Sequence, residues 1–201
     1  MNTVFIFIAV VAVMFLYARM AGNPVGHDKA FRIRRLMNWL PLGLCYSFLY
    51  MGRYNLTVAK NALGGLMTKE DFGIIFAAGT ITYAFSFLIN GPLTDRIGGK
   101  KAILIGAIGS MVMNALLGVV TYLLLTRPEM DMNVRLFYSV VYAANMYFQS
   151  YGAVSIVKVN SNWFHVKERG GFGGLFGVLI SLGIYFAFDW GSAAVQATAH
   201  Y

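Results

Sequence analysis

The chain has 201 residues, of which 58% are hydrophobic and only 12% are charged. Charged residues are about half as frequent as the roughly 25% found in ordinary soluble domains, which argues against a soluble globular protein. Sixteen Lys and Arg residues against eight Asp and Glu give a formal net charge of +8. In a soluble protein this excess would raise nucleic acid as a partner. In so apolar a chain we instead expect the lipid bilayer as the surroundings and no nucleic acid partner.

Six apolar stretches follow one another, at residues 4–18, 36–59, 72–94, 102–125, 136–157 and 171–190. Each is predicted to be an α-helix, because a segment that spans a bilayer must satisfy its own backbone hydrogen bonds. The first stretch is as short as the core of a signal peptide, but no basic region precedes it and Arg19 follows it. We interpret it as a membrane helix with a non-cytoplasmic N-terminus, and a cleaved signal is the alternative.

The basic residues are distributed unevenly between the two ends of these stretches. Eleven of the sixteen lie before the second stretch or in the connections that follow the third and fifth, four lie on the opposite side, and Arg53 lies inside a stretch. Because cytoplasmic loops are enriched in Lys and Arg, the side with eleven is predicted to be cytoplasmic. Arg32, Arg34 and Arg35 on this side could also contact anionic lipids.

Two of the stretches carry small or short polar residues about one helical turn apart. They are Gly106, Ser110, Asn114 and Gly118 on the fourth stretch, and Gly170, Gly174, Gly177 and Ser181 on the sixth. Because small residues let membrane helices approach each other closely, both stripes are predicted to be packing surfaces.

Arg53 is the most informative single residue, since an arginine inside a membrane segment costs about 2.5 to 3.5 kcal/mol on insertion scales. Tyr46, Tyr50, Arg53 and Thr57 recur at helical spacing, so one face of the helix carries hydroxyls and a guanidinium. Such a face predicts a water-filled cavity. The planar fork of arginine suits an organic phosphate or inorganic phosphate. Snorkelling of Arg53 to the outer interface and a structural pair are the alternatives.

The connection between the third and fourth stretches reads GPLTDRIGGKK, at residues 91–101. Such a turn suits a gate, because Asp95 can cap a helix N-terminus or pair with a base on a neighbouring helix. The run resembles the G-x-x-x-D-R-x-G-x-[RK]-[RK] signature that the major facilitator superfamily carries between its second and third helices. The gating residues that this resemblance implies are Gly91, Asp95, Arg96, Gly98, Lys100 and Lys101.

The resemblance also implies an architecture. The chain would be an all-α membrane protein, a partial N-terminal half of the superfamily's helix bundle with one extra N-terminal helix. Residues 1–35 would form the extra helix and a basic cytoplasmic loop, residues 36–190 family helices 1 to 5, and residues 191–201 a non-cytoplasmic tail before helix 6. The missing C-terminal transporter half is then an expected partner, whether the chain is a fragment or one piece of a split transporter.

Two further runs resemble one branch of the superfamily, the organophosphate:phosphate antiporters. YMGRYNL at residues 50–56 is similar to the branch's helix 1 segment Y-x-x-R-K-N-F, and WFHVKERGG at residues 163–171 is similar to W-[WF]-x-x-[KR]-E-R-G-G before helix 5. The resemblance implies a carrier in which Arg53 grips the phosphate of an organic phosphate that is exchanged for inorganic phosphate. Arg53, Tyr46 and Tyr50 fall on the branch's substrate-binding residues. Tyr83 and Gln149 lie on polar stripes at helical spacing in the third and fifth stretches and match a tyrosine and an F-Q pair of the branch, so both are also predicted to bind substrate. Interhelical hydrogen bonding is the alternative for these two.

The chain also departs from this branch. Tyr54, Phe87 and Ile180 stand where its glycerol-3-phosphate carriers have two lysines and a histidine, and Lys158 stands where they have a helix 4 arginine. Either the substrate differs from glycerol 3-phosphate, or a second cation comes from the other half. Two alternatives stay open: a membrane sensor of hexose phosphate in a signalling system, and a carrier of another organic anion with Arg53 on a carboxylate.

Nothing in the sequence indicates an enzyme, since no nucleophile, paired carboxylates or phosphate-cradling loop can be identified. The single cysteine, Cys45, excludes a disulfide within the chain and a zinc-site spacing. His27, His165 and His200 are interpreted as solvated loop histidines, so neither a metal nor a cofactor is expected. We expect a multi-pass protein of the cell membrane, the inner membrane in a bacterium.

Overall fold

The computed structural model describes residues 2–20, 23–127, 129 and 132–198, and within these it contains six α-helices, one short 3-10 turn and no strand. The helices are α1 (Asn2–Met20), α2 (Lys29–Leu63), α3 (Lys69–Ile97), α4 (Gly99–Thr126), α5 (Val134–Trp163) and α6 (Val166–Thr198). Each apolar stretch lies in one helix, which confirms the prediction of an all-α bundle with an extra N-terminal helix. The last helix continues past residue 190, where the sequence stretch ends.

The local sequence explains several helix ends. The Asp28 side chain caps α2 by accepting a hydrogen bond of 2.7 Å from the backbone N–H of Phe31. At the start of α3, Thr68 and Asp71 form a reciprocal capping box. Gly98 ends α3 with a φ of 85°. A residue without a Cβ adopts this conformation easily, so α4 begins directly after the turn.

The helices pack around α5 and α6. Helix α5 lies between α3 and α4, whereas α2 packs along α6 and also contacts α5 and α4. The extra helix α1 lies against α6. There the ring centroids of Phe7 and Phe186 are 5.6 Å apart, and Met14 is buried in the same core. The N-terminal helix is therefore attached to the bundle through apolar contacts.

Much of the outer surface of the bundle is apolar, as expected for side chains that face lipid. Leu88 on α3 is 72% exposed and Met111 on α4 is 65% exposed. Three helices, α3, α4 and α6, are long and apolar enough to cross a membrane, and α1 contains the shorter apolar segment Ile6–Leu16. Helices α2 and α5 are as long, but they carry the polar side chains of the bundle interior, which lower their hydropathy.

The first stripe of small residues, on α4, is a packing surface over part of its length. A side chain at Gly106 would meet the backbone oxygen of Phe148 at 2.9 Å, so α4 and α5 are in close contact there. A side chain at Gly118 would meet nothing within 4 Å. Between these glycines, Ser110 and Asn114 form hydrogen bonds that are described with the site below.

The second stripe, on α6, is not a packing surface within the described chain, so this prediction is wrong for the structure. A side chain at Gly170, Gly174 or Gly177 would meet nothing within 4 Å. Helix α6 approaches α2 through a different residue, Gly183, which lies directly against the backbone of Ser47. The spacing of the stripe identified a small-residue face but not the face that meets α2.

Two of the helices contain a proline in their interior, Pro41 in α2 and Pro92 in α3. Proline has no backbone N–H, so in α2 the helical hydrogen bond to the carbonyl of Met37 cannot form. Pro41 lies between Arg35, near the start of α2, and Arg53, in its second half.

Candidate functional site

Arg53 points into the bundle from the inner face of α2. Its Nε donates a hydrogen bond of 2.9 Å to Oε1 of Gln149 on α5, and only 9% of the residue is exposed. Gln149 itself is fully buried. The alternative in which Arg53 snorkels to the outer interface is therefore wrong for this structure.

Two tyrosine rings contact the guanidinium group. Cζ of Arg53 lies 4.5 Å from the ring centroid of Tyr50 and 4.4 Å from that of Tyr83 on α3. Cation–π contacts of this kind contribute about 0.5 to 2 kcal/mol each. Tyr46 joins the group through an edge contact with Tyr50, with the centroids 5.0 Å apart. The five residues predicted to bind substrate, including Gln149, thus form one cluster, which we call the Arg53 cluster.

The guanidinium of Arg53 has no acidic partner in the part of the chain that the structure describes. The ion pairs formed there involve Glu70, Asp71, Asp95 and Glu168, and none of them includes Arg53. Moreover, Nη2 of Arg53 is buried and has no hydrogen-bond partner. A buried charge without a counterion is costly. The cluster therefore has an unbalanced positive charge and a spare donor, which suits an oxyanion.

A second layer of polar side chains orients Gln149. Its Nε2 donates to Oγ of Ser110 and to Oδ1 of Asn145, both at 3.3 Å. Oγ of Ser110 donates to the same Oδ1 at 2.6 Å, and Nδ2 of Asn114 reaches it at 3.2 Å. With its amide nitrogen engaged in this network, Gln149 presents its oxygen to Arg53.

Ser110 and Asn114 have a role in this network that their spacing, which predicts only packing, does not reveal. A signal was present, because two polar side chains one turn apart in an apolar helix need hydrogen-bond partners. Their partner Asn145 lies one turn before Gln149 on α5. The sequence does not reveal that α4 turns this face toward α5.

The run at residues 91–101 forms the end of α3 and the start of α4, with Gly98 between them, and it contributes one residue to an ion pair with α5. Oδ1 of Asp95 accepts a hydrogen bond of 2.7 Å from Nζ of Lys158 on α5. Asp95 therefore pairs with a base, while no side chain caps the start of α4. Arg96, Lys100 and Lys101 are exposed around this pair. Gly98 forms the turn itself, and a side chain at Gly91 would meet nothing within 4 Å.

A buried ion pair joins the beginnings of α2 and α6. Nη1 of Arg35 lies 3.0 and 3.1 Å from the two carboxylate oxygens of Glu168, and both residues are more than 90% buried. The guanidinium also lies 4.8 Å from the ring centroid of Phe164 and 4.9 Å from that of Phe172. The expectation that Arg35 serves as a lipid contact is thus corrected, because its charge is balanced inside the protein.

The histidines differ from one another. His27 is half-buried, stacks on Phe31 and lies 3.4 Å from the carboxylate of Glu168, so its interpretation as a solvated loop residue is wrong. His165 is exposed, as predicted, and its backbone N–H donates to Glu168 at 3.2 Å. His200 lies outside the described residues.

Comparison with known proteins gives a family match. A family profile described as Major Facilitator Superfamily matches residues 42–193. The chain is 25% identical over 158 residues to the membrane sensor protein UhpC of Salmonella typhimurium, which covers 78% of this chain and 33% of that protein. It is 25% identical over 177 residues to the glycerol-3-phosphate transporter of Bacillus subtilis, covering 82% of this chain and 38% of the relative.

A plant protein is also similar. The putative glycerol-3-phosphate transporter 3 of Arabidopsis thaliana is 31% identical over 121 residues, which covers 54% of this chain and 22% of the relative. The chain spans between about a fifth and two fifths of the length of these relatives. No solved structure gives a significant match.

Proposed function

The chain belongs to the Major Facilitator Superfamily, and on that premise we propose that it is part of a membrane transporter that binds an organic phosphate at Arg53. The observation that carries the proposal is the buried guanidinium, which has two tyrosine rings and a glutamine around it but no carboxylate from the described chain. The substrates in the names of two relatives, which are glycerol-3-phosphate transporters, support the same ligand class.

Phosphate fits this cluster better than a carboxylate does. A phosphate monoester offers three oxygens and carries close to two negative charges near neutral pH. It can therefore accept hydrogen bonds from Arg53 and from a second cation at once. Because the described cluster contributes one guanidinium, the second cation would come from the C-terminal half of the bundle, which we propose as the partner of this chain.

The transport step follows from the charge of the site. In the empty protein an uncompensated guanidinium disfavours closure of the cavity around it, because closure removes water from the charge. A bound phosphate balances this charge in both directions of transport. We therefore propose antiport of the organic phosphate with inorganic phosphate by alternating access. The Asp95–Lys158 pair between α3 and α5 would open and close with each cycle.

We place the protein in the cell membrane as a multi-pass protein, with the N-terminus on the non-cytoplasmic side. The uneven distribution of basic residues supports this orientation. By the same rule, the end of the bundle that contains the Asp95–Lys158 pair faces the cytoplasm.

The second candidate function is a membrane sensor of an organic phosphate. It is favoured by the similarity to UhpC, a protein named as a membrane sensor, and by the apolar or aromatic residues Tyr54, Phe87 and Ile180 at positions where the carriers have cations or a histidine. A sensor would bind the same ligand at Arg53 with little flux.

The test is phosphate exchange by the complete protein in proteoliposomes loaded with radiolabelled inorganic phosphate. External glycerol 3-phosphate or glucose 6-phosphate should release the label. Arg53→Lys should lower exchange at least tenfold, because lysine keeps the charge but loses the bidentate fork. Arg34→Lys makes the same replacement at an exposed position outside the cluster and should exchange normally.

Equilibrium binding of the same esters separates the two candidates. Binding that depends on Arg53 without measurable exchange would identify the sensor. Normal exchange by Arg53→Lys would refute the proposed site in a transporter, and unchanged binding by Arg53→Lys would refute it in a sensor. Competition by succinate as strong as that by phosphate would refute the ligand class.

A further inference from the structure

A cavity of about 400 Å³ lies between α1 and the beginning of α2. Its basic wall contains Arg19 from the end of α1 and Lys29, Arg32 and Arg35 from the first two turns of α2. Arg35 is balanced by Glu168. Arg19 and Lys29 are exposed and form no ion pair with a carboxylate in the described ranges. The cavity therefore has an excess of positive charge.

The other walls of this cavity are apolar. Phe15 is 44% exposed and Ile33 is 50% exposed, and Leu36 and the indole of Trp39 lie beside them. The basic side chains belong to the end of α1 and the start of α2. Ile33 lies among them, whereas Phe15 lies one turn before Arg19, and Leu36 and Trp39 follow Arg35 along α2. The chemistry matches an amphiphile with an anionic head group and a hydrocarbon chain.

We propose that this cavity binds an acidic phospholipid. The lipid phosphate lies among Arg19, Lys29 and Arg32, and an acyl chain lies along Phe15 and Ile33. A free phosphate ion would use the basic wall and leave the apolar walls exposed to water, so the shape and composition together favour the lipid. Basic pockets between membrane helices on the cytoplasmic side suit anionic head groups.

This site is separate from the Arg53 cluster. Arg35 and Arg53 are eighteen residues apart on α2, which corresponds to about 27 Å along a helix. The lipid would connect α1 to α2 where a direct contact already exists, a hydrogen bond of 3.1 Å from Nη2 of Arg32 to the backbone oxygen of Arg19. The bound lipid thus stabilises the position of the extra helix.

Trp39 provides a local probe of the site. Trp163→Phe and Trp190→Phe leave it as the single tryptophan in the full 201-residue chain. In detergent micelles, phosphatidylglycerol with brominated acyl chains should quench its fluorescence at a lower mole fraction than brominated phosphatidylcholine does. Arg19→Gln with Lys29→Gln should weaken the apparent affinity for phosphatidylglycerol roughly 30-fold, since each basic residue near an anionic lipid surface is worth about 1 kcal/mol.

The matched control is Arg34→Gln with Lys167→Gln. It removes two exposed charges at the same end of the bundle but outside the cavity. Any lipid that Arg34 contacts would lie outside the cavity that Trp39 lines, so the quenching curve should be unchanged. An equal loss of apparent affinity for phosphatidylglycerol in the two double variants, or no preference for this lipid over phosphatidylcholine, would overturn the proposed site. Reversal of the quenching by millimolar inorganic phosphate would show a soluble-anion site instead. Circular dichroism verifies that the variants fold. If the double variant unfolds, Lys29→Gln alone replaces it in the quenching measurement.

Discussion

The buried pair of Arg35 and Glu168 gives the sharpest prediction for stability. Glu168→Gln keeps the shape of the side chain and removes its charge, so Arg35 remains as a buried cation beside the rings of Phe164 and Phe172. Loss of one partner of a buried ion pair costs about 3 to 5 kcal/mol. The amide oxygen of Gln can still accept one hydrogen bond from Arg35, which places the expected loss near the lower end, about 3 kcal/mol.

A double variant distinguishes this cause from a simple packing defect. Arg35→Met with Glu168→Leu removes both charges and leaves apolar side chains among aromatic rings, so it should be more stable than Glu168→Gln. The free energy of unfolding can be measured for the full chain in detergent by titration with sodium dodecyl sulfate, followed by tryptophan fluorescence. Glu70→Gln, at an exposed pair with Arg135, should show no measurable change. Equal stability of the Glu168 and Glu70 variants would refute the reasoning.

Two further predictions concern packing and the Arg53 cluster. Gly183→Ala places a methyl group against the backbone of Ser47 and should destabilise the contact between α2 and α6 by about 1 to 3 kcal/mol or more. Gly177→Ala is the control, because position 177 faces open space. The same detergent titration compares the two variants, and an equal loss of unfolding free energy in both would contradict the packing of α6 on α2. Gln149→Leu removes the acceptor of the 2.9 Å hydrogen bond from Arg53 and should weaken the affinity for glycerol 3-phosphate in equilibrium binding. Gln149→Glu should weaken this affinity more strongly, because its carboxylate neutralises the guanidinium. Unchanged affinity in both variants would place the ligand elsewhere.

Helical periodicity was sufficient to predict part of the Arg53 cluster. Tyr46, Tyr50 and Arg53 lie on one helix, so their common face follows from the spacing of the residues. Tyr83 and Gln149 are on other helices, where polar stripes marked them as cavity-wall candidates, but only the family resemblance connected them to Arg53. The structure brings the five side chains together, while their role in binding substrate stays a prediction.

The errors have a shared physical cause, which is that contacts between distant segments leave no periodic signal. Arg35 and Glu168 are 133 residues apart in the chain, so a basic residue near a helix start was interpreted as a lipid contact. The glycine stripe on α6 has the correct spacing for packing, but spacing does not state whether a neighbouring helix covers that face. His27 was misinterpreted for the same reason, since its carboxylate neighbour is also Glu168.

The proline inside α2 has a mechanical consequence for the site. The start of α2 is anchored to α6 by Arg35 and Glu168, and Pro41 lies after this anchor. Pro41 and Arg53 are twelve residues apart, a lever arm of about 18 Å. A change of about 10° in the bend at the proline would move the guanidinium by about 3 Å, the length of one hydrogen bond. A small rotation far from the cluster would thus be large enough to break the hydrogen bond between Arg53 and Gln149.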